Sequence, residues 1–564
     1  MLKQADIIVF LVYFIIVASY GIWIYRRKKK IRETSTDFFL AEGSLTWWAI
    51  GASLIASNIS AEQFIGMSGS GFKLGLAIAA YEWLAAASLI IVAVFFMPIY
   101  LKNRIFTMPQ FLKTRYNETV ALIMAIFWFL LYIIVNLTSI LYLGTLAINN
   151  LAGGEYFHLI MIGLAIFALL ITLGGMKVIG YTDVIQVAVL VIGGLITSYI
   201  ALTLVSEHFG YGKDVLIGIN TLFEKAPEHF DMIFDKPTSA SSPQEVSNYI
   251  DLPGVAMLIA GMWIANLNYW GCNQYITQRA LGADLKTART GILFSAFLKL
   301  LMPLIVVLPG IAAYVIWKNG GLQNEMLTNG EFRNDNAYSA ILGFLPTGLK
   351  GLSVAALTAA IVASLAGKAN SIATIYTLDI YKKYINKEAP DKRMVWIGRL
   401  AIIISLVIAI VVNWRDALGI GSEGGFIFIQ KYTGYVSPAI FAVFLLGFFW
   451  KRTTARAAIF GIIGGVVLMV LFDKFLPGWY QETPLYTAFL NAQGVYEIPF
   501  LVSMGWVFFF TVVIMVIVSL LDTRGRHEVN ALEVDTRMFR VSPGILTMII
   551  IILGILLALY IRFW

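Results

Sequence analysis

Apolar blocks of about twenty residues recur along the whole chain, and a helix of that length crosses the hydrocarbon core of a bilayer. Composition agrees with this reading. Of 564 residues, 59% are hydrophobic and 13% charged, against about 25% charged in an ordinary soluble domain. A soluble chain of this size would divide into several domains with polar surfaces. The first block, Asp6 to Tyr25, is followed directly by Arg26, Arg27, Lys28, Lys29 and Lys30, with no basic stretch before it and no small-residue cleavage site after it. It reads as a retained helix rather than a signal peptide.

The pattern predicts an all-α polytopic membrane protein with spans at 6–25, 47–71, 81–101, 121–148, 157–175, 182–206, 252–277, 289–317, 350–381, 396–414, 426–450, 454–475, 499–521 and 542–562. An even number of spans, about fourteen by this reading, puts both termini on one side. If that side is outside, 27 of the 41 Lys and Arg fall in inward segments and ten in outward ones, with Lys299, Lys350, Lys368 and Lys431 in or at the ends of spans. Basic residues favour the cytoplasm, so both termini are predicted to face out of an inner (plasma) membrane. The net charge of +8 is thereby a topology signal, and nucleic acid is not expected as a partner. The one cysteine, Cys272, excludes an internal disulfide, and His158, His208, His229 and His527 are too dispersed for a metal site.

Two predicted spans carry polar interruptions. Segment 47–71 holds Ser57, Asn58, Ser60, Glu62 and Gln63 at its centre, and segment 252–277 holds Asn266, Asn268, Gly271, Asn273 and Gln274. Backbone at mid-membrane leaves the helix only where it is buried in protein or lines a cavity. The interrupted spans are the second and seventh, an odd separation that makes them enter from opposite sides. Two five-helix units offset in this way form an inverted repeat, the usual frame for a secondary transporter's midplane site. The alternative is that small and amide side chains here make ordinary polar helix contacts.

Charges inside the membrane sharpen the reading. Glu82 opens the third span in Ala-Tyr-Glu-Trp-Leu, and Lys299 lies inside the eighth in Phe-Leu-Lys-Leu-Leu. A charge at the bilayer centre costs at least ~2.5–3.5 kcal/mol, so such residues face a cavity or find a partner. With Asn58, Gln63 and Asn266 they form a mixed set of donors and acceptors that suits a neutral polyhydroxyl ligand. Tyr81, Trp83 and Tyr269 offer ring faces. The plain alternative leaves Glu82 at the interface and Lys299 snorkelling.

At these residues the chain resembles the sodium/solute symporter family, and its sugar branch in particular. The strings that carry the likeness are Ala-Ser-Asn-Ile-Ser-Ala-Glu-Gln-Phe-Ile-Gly-Met-Ser-Gly-Ser-Gly from Ala56, Tyr-Glu-Trp from Tyr81, Gly-Gly-Met-Lys-Val-Ile-Gly-Tyr-Thr-Asp-Val-Ile-Gln from Gly174 and Tyr-Thr-Gly-Tyr-Val-Ser-Pro from Tyr432. The likeness runs from about residue 6 to 475 and weakens in the loop at 318–349 and the last two helices. It implies an inverted five-plus-five helix core in spans two to eleven. The implied layout is a first peripheral helix and basic loop at 1–46, the first repeat with the first helix of the second at 47–277 (including an outward loop at 207–251), the rest of the second repeat at 278–450, and peripheral helices at 451–564.

By the same resemblance, Asn58, Gln63, Glu82, Asn266, Lys299 and Gln430 bind sugar hydroxyls, and Tyr269 stacks on the sugar as an inner gate. Met67, Tyr81 and Phe426 close the outer side. Sodium is the coupling ion, held by carbonyls of Ala56, Ile59 and Ala360 and the hydroxyl of Ser364, with Asp183 on its exit path. The chain departs from the family pattern at three places. Ala85 stands where the sugar branch often has serine. Ala363, within the ion set, replaces one of two adjacent serines. Lys368 follows Ser364 by four residues, one helical turn. Lys368 is expected either to snorkel to the cytoplasmic interface or pair with Asp183, or to weaken or partly replace the ion. The function implied is sodium-coupled monosaccharide symport of the galactose or glucose type. Proton-coupled or uncoupled sugar transport, or sodium symport of another organic solute, are the alternatives. No enzyme is expected: the chain shows no nucleophile–base pair, and Gly69-Ser70-Gly71 lacks the spacing of a nucleotide fingerprint.

Overall fold

In a computed structural model of the chain, residues 3–28, 45–105, 107–173, 175–328, 330–420, 424–491, 493–523, 525 and 529–564 are described. Most of the basic stretch at 26–32, together with Arg524 and Arg526, lies outside them or has side chains that are not described. Helix covers most of each predicted segment. Among the described residues, ten helices are long and apolar enough to cross a bilayer, or eleven if Gly425–Gly434 and Ser437–Phe449, bent by 50°, are one span. This falls short of fourteen partly because breaks divide some segments. Helical structure also continues through the link at 72–80, so Glu62–Lys102 forms one stretch of 41 residues.

The chain divides into two compact units. The first comprises Met1–Ala79, Phe127–Asp231 and Phe297–Ile429. At its centre lies the helix Leu349–Thr374, buried at every position from Ser353 to Thr374. A helix buried on all faces must be apolar or small all round. Ala355, Ala356, Ala359, Ala360, Ala363, Ala366 and Gly367 meet that need and allow close approach of neighbouring backbones. Against it pack Gln4–Lys28, Trp47–Asn58, Phe157–Thr172, Gly175–His208 and Asp391–Asn413. Asp6 Oδ1 accepts from the backbone N–H groups of Gly348 (2.7 Å) and Gly351 (3.1 Å), tying the first helix to the start of the central one.

The loop at 207–251 begins as part of this unit. It forms the helix Val215–Lys225 and the turn Pro227–Phe230. His229 Nε2 donates to the Phe72 carbonyl (3.0 Å), and its ring stacks on Tyr314. Burial holds the imidazole below its usual range. Gly75, at φ +66°, turns the chain where a side chain would meet the His229 backbone.

The second unit comprises Ala80–Ile126, Met232–Ala296 and Gln430–Trp564. Here Met262–Gly271 packs against Ala80–Ile91 and Ser437–Phe449. Two arginines expected to face inward are structural. Arg115 donates to the carbonyls of Gly447, Trp450 and Thr453 at 2.9–3.1 Å, satisfying carbonyls at a helix end. Arg289 donates to Ala93 (3.1 Å), Met538 (2.9 Å) and Arg540 (2.9 Å). The last helix, Pro543–Phe563, leaves Leu557 and Ile561 largely exposed, as a lipid-facing helix would.

Candidate binding site at two broken helices

Each predicted interruption is a break in the helix, though not at every residue expected. In the first unit, Trp47–Asn58 stops at Ile59, whose φ −80° and ψ 106° are extended. Helix resumes as the wide turn Glu62–Met67. Local side chains hold the gap open by serving backbone groups that helix would otherwise pair. Gln63 Oε1 accepts from the Ser60 N–H (3.1 Å), and Ser60 Oγ accepts from the Glu62 N–H (3.1 Å).

In the second unit, helix runs unbroken through Asn266 and Asn268 and stops at Cys272, resuming at Gln274. The break therefore lies at Cys272–Asn273, and Asn266 and Asn268 are helical rather than part of it. Asn273 Oδ1 caps the new helix by accepting from the Tyr275 N–H (3.1 Å). The Gly271 carbonyl accepts from the Tyr100 hydroxyl (2.7 Å). Asn268 Nδ2 donates to Ser437 Oγ (3.0 Å), which makes it a helix–helix contact.

The residues expected to bind sugar divide between the units. Asn58, Gln63 and Lys299 belong to the first; Glu82, Asn266, Tyr269 and Gln430 belong to the second. Lys299 does not snorkel: it is 1% exposed, and its Nζ donates to Asn58 Oδ1. Glu82 is buried, so it does not lie free at an interface. Asn266 Nδ2 donates to the Met262 carbonyl one turn back (3.1 Å), which leaves its oxygen for other partners. Tyr269 and Gln430 are half-buried, and Tyr269 packs edge-on to Trp270. Of the residues expected to close the outer side, Met67 and Phe426 are buried in the first unit and Tyr81 in the second. The second helix approaches the Phe426 backbone so closely that a Cβ on Gly66 would lie 2.6 Å from its nitrogen.

The five residues expected to hold sodium, Ala56, Ile59, Ala360, Ala363 and Ser364, all lie in the first unit and are buried. Ser364 Oγ donates to the Ser57 carbonyl (2.9 Å), so the central helix meets the broken one at its break. From there a hydrogen-bonded series leads away: Ser57 Oγ donates to the Ser53 carbonyl (2.6 Å), and Ser53 Oγ donates to Asp183 Oδ2 (2.6 Å). Lys368 corrects an expectation. It does not reach the interface; it is 3% exposed, and its Nζ lies 3.5 Å from Glu62 Oε1. Glu62 was not singled out as a site residue from the sequence. The sequence signals only that a carboxylate at mid-span requires a partner; it does not say that Lys368 is that partner.

Comparisons with known proteins show the family. The family model described as the sodium:solute symporter family matches residues 38–465. The sodium/glucose cotransporter of Vibrio parahaemolyticus is 44% identical over 571 residues, covering 100% of this chain and 99% of that protein. The human sodium/myo-inositol cotransporter 2 is 33% identical over 485 residues, covering 83% of this chain and 69% of that protein. Among solved structures, a Na+-coupled sialic acid symporter in a substrate-bound outward-open state aligns with a TM-score of 0.74 at 20% identity, covering 92% of this chain and 98% of that one. The last likeness concerns the fold.

Proposed function

From its membership of the sodium:solute symporter family, to which this chain belongs, we infer that it imports a monosaccharide of the galactose or glucose type together with sodium by alternating access. It is a multi-pass membrane transporter and not an enzyme. The observation that carries the ion part is the junction of Ser364 with the Ser57 carbonyl at the break of the second helix. Sodium is a hard cation that takes several oxygens, and carbonyls freed by a broken helix supply them. In this reading the carbonyls of Ala56, Ile59 and Ala360 and the hydroxyl of Ser364 hold the ion, Ala363 contributes no side-chain oxygen, and Asp183 lies on its exit path.

The sugar part is supported by the relatives' names, a sodium/glucose and a sodium/myo-inositol cotransporter, and by the amide–ammonium pair of Asn58 and Lys299. Asn58, Gln63, Glu82, Asn266, Lys299 and Gln430 bind hydroxyls; a carboxylate substrate would more readily be met by an arginine. Fourteen spans with an inverted five-plus-five core, both termini outward, complete the reading.

Sodium binds from outside and holds the broken second helix against the central helix. Sugar then binds, Met67, Tyr81 and Phe426 close the outer side, and Tyr269 yields to release sugar and ion inward. Coupling requires only that both ligands favour the same state, so each raises the other's affinity. The test is equilibrium binding of labelled galactose to purified protein in sodium and in choline. Binding that sodium strengthens by about tenfold, a typical coupling, and that unlabelled glucose displaces is expected. Ala363 favours one rival, sugar uptake without sodium coupling, and equal binding in both salts would select it.

A further inference from the structure

The contact between the broken helix and the central helix has two rungs. The first is the Ser364 hydroxyl on the Ser57 carbonyl at 2.9 Å. The second is Lys368 Nζ facing Glu62 Oε1 at 3.5 Å, with side chains 3% and 8% exposed. Lys368 is one helical turn beyond Ser364. Glu62 opens the turn that follows the break, held there by its N–H bond to Ser60 Oγ (3.1 Å). The two segments that a coupling ion would join are thus already bridged by an ammonium and a carboxylate belonging to the chain.

We propose that Lys368 and Glu62 are a fixed charge pair that sets the affinity of the neighbouring sodium site, with Glu62 raising it and Lys368 lowering it. The proposal rests on the sodium reading given above. Lys368 follows Ser364 by one helical turn and Glu62 opens the turn after the break at Ile59, so the pair belongs to the same junction as the ion-binding oxygens, where charges interact strongly. An arriving sodium ion feels repulsion from the ammonium and attraction from the carboxylate. The site lacks a side-chain oxygen at Ala363, so its own ligands hold the ion less tightly and the pair weighs more heavily. The pair also keeps the junction charge-compensated when sodium leaves. Release inward then does not strand a buried carboxylate, a situation that is strongly unfavourable in a protein interior. On this account Lys368 lowers sodium affinity, Glu62 raises it, and the balanced pair eases release.

The signs of the effects separate this role from a structural one. Sodium activation of sugar uptake is measured in proteoliposomes for the wild type, Lys368→Met, Glu62→Gln, the double variant and Lys368→Arg. Lys368→Met lowers the half-saturating sodium concentration by about tenfold, since it leaves the carboxylate facing the ion alone. Glu62→Gln raises it by about the same factor. The double variant and Lys368→Arg return it to within about threefold of the wild type, because the charges balance again. If Glu62→Gln does not fold, the contrast between Lys368→Met, which shifts, and the charge-preserving Lys368→Arg, which does not, still decides the matter.

A purely structural ion pair gives another pattern. Either single change then costs yield and stability, the double variant restores both, and the half-saturating sodium concentration stays put in every variant that folds. Sodium-dependent uptake with no shift in Lys368→Met overturns this inference and leaves the symporter reading standing. Uptake by the wild type that needs no sodium overturns the symporter reading itself.

Discussion

At the residue scale, Lys299 and Lys368 show how a buried lysine is turned to use. Each is almost fully enclosed and each has an oxygen partner from the second helix, Asn58 for the one and Glu62 for the other. An ammonium carries three donors, so beside a neutral amide it can also serve a second acceptor, such as a sugar hydroxyl; a carboxylate partner matches its charge. Lys299→Met is therefore expected to raise the KM for sugar by about ten- to a hundredfold, the loss of one charged hydrogen bond, with sodium activation little changed. Uptake kinetics check this.

Asp335, on the loop between Leu285–Lys318 and Leu349–Ile385, is another buried ionisable residue. Its Oδ2 accepts from the Gly425 N–H (2.9 Å). Burial pushes its carboxyl up to about 6, although the Gly425 N–H and Arg333 act the other way. The folded form holds this proton more tightly than the unfolded form. The resulting stability is fully present below about pH 4 and is lost as pH rises through about 6. Asp335→Asn should therefore gain on the wild type as pH rises from 4.5 to 7.5, by about 2 kcal/mol. Thermal unfolding in detergent across that range reads the gap, and a constant gap contradicts the assignment.

At the element scale, much was legible because helix breaks leave a chemical signature. Ser57, Asn58, Ser60 and Gln63 announce an interruption, and the break falls among them at Ile59–Ala61. Asn266 and Asn268 mislead because amides serve two ends. One bonds back to its own helix and the other bonds across to Ser437. The pairing of Glu62 with Lys368 was not legible, since residues 306 apart in sequence meet only through helix packing. Lys368 read alone looked like a snorkelling residue because periodicity does not tell which face of a central helix is covered. Gly66 is the close approach that the second helix requires. Gly66→Ala is expected to lower stability by about 1–3 kcal/mol through overpacking against the Phe426 backbone, and a depressed melting temperature with reduced transport would show it.

At the scale of the whole molecule, apolar block length gave the membrane-spanning class, and the basic residues gave a predicted orientation. The division into two units that interleave along the chain was not legible, because contact between distant segments has no periodicity. The orientation is directly testable, since the one native cysteine is buried. Single cysteines at the exposed positions Lys213 and Lys387 in a Cys272→Ser background should differ. The first is expected to react with an impermeant maleimide on intact cells, and the second only after permeabilisation. The reverse pattern would invert the topology.

The central claim is coupling: sodium bound at the junction of the broken second helix with the central helix drives sugar inward. Uptake of radiolabelled galactose and glucose into proteoliposomes, with and without an inward sodium gradient at fixed pH, tests it most directly. The account predicts accumulation above equilibrium only with the gradient, and its collapse when the gradient is dissipated. Equilibration to the same level with or without sodium would contradict it.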